Sequence, residues 1–155
     1  MISVIIPVYN AESFIEEALQ SILDQSYSDL EILVLDDCST DGSLQKIEDF
    51  SDRRIKVLRN ERNIGYLRSI NRLLKCCKGE FIAFQDADDV SHKDRLSMQE
   101  NYLRTNEDVA IVGTNYSVID TKGKQIHSHD VIEDSAVLKK VLEDRNPFQK
   151  PSLLF

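Results

Sequence analysis

Three carboxylates fall within four positions at Asp86, Asp88 and Asp89, directly after the short strand-type run FIAFQ. Like charges this close repel one another, so a positive partner is expected beside them. Hard divalent cations such as Mg²⁺ or Mn²⁺ take carboxylate oxygens and keep positions open for the oxygens of a diphosphate. A D-x-D at the end of a strand is therefore a candidate clamp for metal plus pyrophosphate. Capping of a helix near Ser91 would use one acid and leaves two without a reason.

A second acidic pair, Asp36 and Asp37, follows the apolar ILVL and opens the stretch DDCSTDGS. Serines, a threonine and Asp41-Gly42 account for a turn and a helix start. They do not account for two tandem acids at a buried strand end. Two further polar clusters, PVYN at 7–10 and the loop 60–65, also follow apolar runs. His127 and His129 share one face of a strand, next to a polar turn, and read as surface residues. Cys38 has no neighbour that would lower its pKa, so it is not read as a nucleophile.

These clusters need elements to position them. Residues 2–8 form a β-branched apolar run that Pro7 punctuates, as a buried parallel strand would be. Asn10 is expected to cap a helix over 11–25, with Phe14, Ile15, Ala18, Leu19, Ile22 and Leu23 on one face. Strands follow at 31–35, 55–58 and 80–85. Leu44, Ile47 and Phe50 space one helix, Leu67, Ile70, Leu73 and Leu74 a second, and 91–104 a third. Residues 109–119 read as one long strand, 121–124 as a hairpin turn into a short strand at 125–128, 135–142 as a helix, and 152–155 as a further strand start. Alternation of strand and helix implies a three-layer α/β/α fold on a mostly parallel, Rossmann-like sheet. Ligands bind beyond the carboxyl ends of such strands, so all four polar clusters should meet in one cleft.

The length of 155 residues suits one domain, 1–155, with no repeat or linker. Net charge is −8, from 19 basic and 27 acidic residues, which excludes a nucleic-acid polyanion as a general partner. The three cysteines are odd in number, and Cys76 and Cys77 are adjacent, so they read as reduced thiols. No run reaches the length of a membrane span and MISVIIPVYN lacks the features of a signal peptide, so the expectation is a soluble, cytoplasmic chain. A glycine-rich turn after the first strand is absent, against a dinucleotide oxidoreductase. A phosphoacceptor signalling domain fares little better, since it wants a lone aspartate where Leu58 is followed by Arg59 and Asn60.

PVYN, DDCSTDGS, NIG (63–65) with Asn71, GEFIAFQDADD (79–89) and KPSLLF (150–155) occur in one order along nearly the whole chain. In that order they resemble family 2 glycosyltransferases of the GT-A fold. The resemblance implies an inverting transfer of sugar from a nucleotide-diphosphate sugar, a UDP-sugar first, to a glycan or lipid-linked acceptor, at the inner face of a membrane by peripheral association. It assigns Pro7, Val8 and the Tyr9 ring to the base with Glu12 nearby, and Asp37 to a hydrogen bond from the base with Asp36 supporting its loop. Asn63, Gly65 and Asn71 are assigned to the wall around ribose and diphosphate. Asp86 would orient the sugar or ribose, and Asp88, with Asp86, would hold Mg²⁺ or Mn²⁺. Family members often carry an arginine just before Asn71; Ile70 stands there, and Arg68 and Arg72 read as solvated helix charges. The family's general base is an acid downstream of KPSLLF, so it is not expected among these residues and the domain reads as shortened at its C-terminal end. A non-catalytic domain that binds a nucleotide sugar or a partner is the alternative.

Overall fold

The computed structural model describes residues 1–155. Four strands, β1 (Ile2–Val8), β2 (Leu30–Asp36), β3 (Ile55–Arg59) and β4 (Phe81–Phe84), form a parallel sheet in the order β3-β2-β1-β4. Every residue of β1 and β2 is buried, as continuous β-branched runs require when both faces are covered. The register pairs Val8 with Asp36 and Asp36 with Arg59, so the ends of three strands lie level.

One face of the sheet, with Val4, Ile6, Ile32 and Val34, packs on Ile15, Leu19 and Ile22 of α1 (Ile15–Leu23), Ile47 of α2 (Ser43–Glu48) and Leu96 and Leu103 of α4 (Arg95–Thr105). The other face, with Ile5, Leu33 and Leu35, packs on Ile70 and Leu73 of α3 (Tyr66–Leu74). Helices on both faces give the three-layer arrangement that the alternation implied.

Residues 153–155 extend this sheet. Phe84 N–H donates to Leu153 O, Ile82 and Phe155 exchange backbone bonds, and Leu154 bridges both Ala83 and Val112 in antiparallel sense. The strand start expected at 152–155 thus runs antiparallel beside β4, after a short 3₁₀ turn at Lys150–Ser152.

Three sequence expectations need correction. Helix α1 begins at Ile15 rather than at 11: Asn10 is left-handed (φ 52°), and its side chain bonds Thr40 N–H across the cleft instead of capping its own helix. The strand expected over 109–119 is broken. Only Val112 bridges the main sheet, and Tyr116–Ile119 (β5) pairs instead with Gln125–His129 (β6) in a separate hairpin. Its turn is closed by the Asp120 carboxylate, which accepts from Lys122 and Lys124 N–H, and by Gly123 at φ 76°. Arg72 is not a free charge: its guanidinium donates to Arg59 O and to Asn60 Oδ1. Helix α5 (Ser135–Asp144), capped by Asp134, carries no buried residue. No helix is long and apolar enough to cross a membrane.

Candidate active site

The loops after β1 and β2 are laced together by their own side chains. Thr40 N–H donates to Asn10 Oδ1 (2.8 Å), Asn10 N–H to Ser39 Oγ (3.0 Å), Ala11 N–H to Ser43 Oγ (2.8 Å) and Glu12 N–H to Asp41 Oδ2 (3.1 Å). Glu12 Oε2 accepts from Gly42 N–H at 3.0 Å, and a Cβ at Gly42 would stand 2.5 Å from Glu12 Oε1. A side chain at 42 would displace the Glu12 carboxylate from this bond. Pro7 and Val8 end the buried strand, and the Tyr9 ring beyond them is half exposed.

Asp36 and Asp37 are both buried. Asp36 accepts from Ser39 N–H and lies 3.8 Å from Arg59 Nε, which answers its charge. Asp37 is the anchor of the next loop: Oδ1 accepts from Asn60 Nδ2 (2.7 Å) and Ile64 N–H (2.9 Å), and Oδ2 from Gly65 N–H (2.8 Å). Burial pushes its pKa up, but the bonds from Ile64, Asn60 and Gly65 outweigh burial and hold it below the usual carboxylate range. Oδ2 keeps a lone pair for a further donor.

Gly65 (φ 88°) turns the chain from this loop into α3 and thereby sets Tyr66. The Tyr66 hydroxyl donates to Asp86 Oδ1 at 2.7 Å. Burial and the acidic neighbours, Asp86 first, raise its pKa far above the ordinary value, so it stays a donor. Asn63 and Asn71 are exposed, on the loop and on α3.

The acidic segment 86–89 is fixed from below by Gln85, buried at the end of β4. Its amide donates to Asp86 O and Asp89 O, and its Oε1 accepts from Ser91 Oγ (2.7 Å) and the Arg95 guanidinium (3.3 Å). Ala87 is buried, and Asp88 points to solvent. Asp89 is pushed up to about 6 by burial and then by Asp86 and Asp88. No three His, Cys, Asp or Glu side chains converge on one point.

Lys150 completes the rim. The turn that carries it is held by Gln99 Nε2 to Ser152 O (2.7 Å) and by the buried Arg95 to Pro151 O (3.3 Å). Its ammonium stands 3.6 Å from the centroid of the Tyr66 ring. Tyr66 had no role in the sequence reading and Lys150 only a place in a motif. A polar aromatic at the first helical position after NIG was the available signal. The four clusters do meet at the carboxyl edge of the sheet, whereas His127 and His129 lie apart on the exposed hairpin, edge to face at 4.4 Å.

Comparison with known proteins agrees with this geometry. The family model described as glycosyl transferase family 2 matches residues 3–153. Among curated relatives, the Escherichia coli UDP-Glc:alpha-D-GlcNAc-diphosphoundecaprenol beta-1,3-glucosyltransferase WfgD is 40% identical over 119 residues, 77% of this chain and 47% of its own. The putative teichuronic acid biosynthesis glycosyltransferase TuaG of Bacillus subtilis is 34% identical over 148 residues, 92% of this chain and 58% of its own. The chain thus spans about half the length of these relatives. Among solved structures, Staphylococcus aureus TarS in complex with UDP-GlcNAc superposes with a TM-score of 0.65 at 36% identity, over 68% of this chain and 32% of that one. The Pyrobaculum calidifontis mannosyltransferase PcManGT, in complex with GDP-Man and Mn²⁺, gives 0.66 at 29%, over 77% and 35%. A parallel sheet with its acidic loops at one edge, matched from residue 3 to residue 153, makes this chain a member of the family 2 glycosyltransferases, with the GT-A fold.

Proposed function

We propose that residues 1–155 are one domain, the donor-binding part of an inverting glycosyltransferase. It takes a nucleotide-diphosphate sugar with Mg²⁺ or Mn²⁺ and serves transfer to a glycan or lipid-linked acceptor. The observation that carries this reading is the run of hydrogen bonds from Asp37 through Gly65 and Tyr66 to Asp86. It ties an acid suited to a base to an acid suited to a metal, along the edge where a nucleoside diphosphate would lie.

In this reading the half-exposed Tyr9 ring stacks on the base beside Pro7 and Val8, and the free lone pair of Asp37 accepts from a base N–H. Asp36 and Glu12 keep the two loops in register. Asn63, Gly65 and Asn71 wall the ribose and diphosphate. Asp86, oriented by Tyr66, and Asp88 hold the cation. When bound, the cation supplies Lewis-acid neutralisation of the leaving diphosphate, which grows more negative as the glycosidic bond breaks. The general base is assigned to none of residues 1–155. A uracil base is favoured by the UDP-Glc and UDP-GlcNAc named for WfgD and TarS. A lipid-linked acceptor, as in the name of WfgD, would bring the protein to the cytoplasmic face of a membrane.

Calorimetric titration with UDP and GDP, each with and without Mn²⁺, tests this on the wild-type chain and on Asp88→Ala. The expected result is metal-dependent binding of one nucleotide that is lost in the variant. No binding of either nucleotide would sink the donor-site reading.

A further inference from the structure

The cations at the carboxyl edge of the sheet are mostly committed. Arg59 faces Asp36, Arg72 holds Arg59 O and Asn60, and Arg95 is buried under the acidic loop. Lys150 differs. It enters none of the chain's ion pairs and donates no hydrogen bond to a side chain or backbone carbonyl, although Asp86 is close enough to act on its charge. The Tyr66 ring lies under its ammonium at 3.6 Å, while the hydroxyl of the same ring is bonded to Asp86. One side chain therefore keeps an ammonium and a carboxylate near each other without letting them neutralise each other.

That arrangement suits a ligand that carries both signs. A divalent cation on a diphosphate presents its positive charge to the carboxylates, and the phosphate oxygens it leaves uncompensated to the ammonium. The free nucleoside diphosphate that leaves carries more negative charge than one divalent cation cancels, whereas a monophosphate, or the diphosphate still bonded to the sugar, does not, so the demand for the ammonium grows as the glycosidic bond breaks. The place where Lys150 stands is also anchored: residues 153–155 pair with β4, and Gln99 and Arg95 bond the turn before them. On α3, Ile70 is buried in the core and Arg72 is engaged, which leaves the exposed Arg68 as that helix's uncommitted cation.

We propose that Lys150, positioned by the Tyr66 ring, binds the diphosphate of the donor and holds it as the leaving group. This rests on the donor-site reading above. It makes Lys150 the residue that distinguishes a nucleoside diphosphate from the matching monophosphate.

The test is titration with UDP against UMP, and GDP against GMP, in Mn²⁺, on the wild-type chain and on Lys150→Met, Lys150→Gln and Lys150→Arg. Thermal unfolding confirms that each variant is folded. Loss of the ammonium is expected to weaken the diphosphate about tenfold, the worth of one charge-assisted hydrogen bond, and to leave the monophosphate unchanged. Lys150→Arg should restore most of the loss. Unchanged diphosphate affinity in the neutral variants, or equal weakening of diphosphate and monophosphate, would overturn the proposal. A wild-type chain that binds neither nucleotide would overturn the donor-site reading, and this proposal with it.

Discussion

The hydroxyl of Tyr66 donates to Oδ1 of Asp86 at 2.7 Å, joining the first turn of α3 to the acidic loop after β4. The same ring carries Lys150 on its face. A tyrosine between an acid and an amine does two separable things, and substitutions can part them.

Tyr66→Phe keeps the ring and removes the donor. The Lys150 contact survives, but Asp86 loses the bond that fixes its rotamer. Because Tyr66 is 40% exposed, stability should change little. Metal-dependent binding of nucleotide should weaken by several-fold, about 1 kcal/mol for one lost hydrogen bond. Titration with UDP over a series of Mn²⁺ concentrations reads this directly, and an unchanged Mn²⁺ dependence would count against Asp86 as a ligand.

Asp37 gives the clearest pH dependence. Its folded pKa lies below the unfolded value, so the native state favours the charged form. The stability it contributes is present above the unfolded pKa, near 3.9, and is lost as pH falls through the depressed folded value. Asp37→Asn should remove this contribution. An amide cannot accept from Asn60, Ile64 and Gly65 together without turning its own N–H₂ against a donor. A loss of about 1–3 kcal/mol at neutral pH is expected, with a shallower fall in acid than in the wild type. Circular-dichroism melts between neutral pH and pH 3 measure both, and parallel curves for the two proteins would contradict the assignment.

Where the acidic clusters lie could be read from residue types, and the reason is local. Asp36, Asp37, Asp86 and Asp88 are acids that follow apolar strands, and in a parallel sheet such positions fall along one edge. The buried runs of β1 and β2 could be read for the same reason. What escaped depends on contacts distant in sequence. Tyr66 and Lys150 meet across more than half the chain, and no spacing encodes that. Asn10 has the composition of a cap, yet its side chain serves Thr40 thirty positions away. The run 109–119 has strand-type residues throughout, but only Val112 bridges Leu154 while 116–119 pair with β6, a choice made by partners rather than propensity.

Gly79 offers a control far from the site, at the opposite edge of the sheet. A Cβ there would stand 2.5 Å from the backbone nitrogen of Ser3 and 2.8 Å from Ser3 Oγ. The clash is with β1 itself and cannot be relieved by rotating a side chain. It also disturbs the bond from Gly79 N–H to Ser3 Oγ. Gly79→Ala should therefore cost about 1–3 kcal/mol, seen as a lower midpoint in urea, while the folded fraction binds nucleotide as the wild type does. An unchanged midpoint would mean that β1 and the turn before β4 separate more readily than their packing suggests.

Gln85 tests whether the acidic loop acts as a unit. Its side chain is almost wholly buried and reaches Asp86 O, Asp89 O, Ser91 and Arg95 at once. Gln85→Leu fills the same space and leaves Ser91 Oγ and one face of Arg95 without an acceptor, at a cost of about 1–3 kcal/mol in stability. The loop 86–89 then loses its tie to the end of β4, so Asp86 and Asp88 should drift apart. Residues around Tyr9 and Asp37 are untouched, which separates the two halves of the site. Binding of UDP should lose its Mn²⁺ dependence, while the weak, metal-independent affinity for uridine stays as it is. Equal loss of both would show that the base pocket leans on β4, and that the loop after it is not an independent metal clamp.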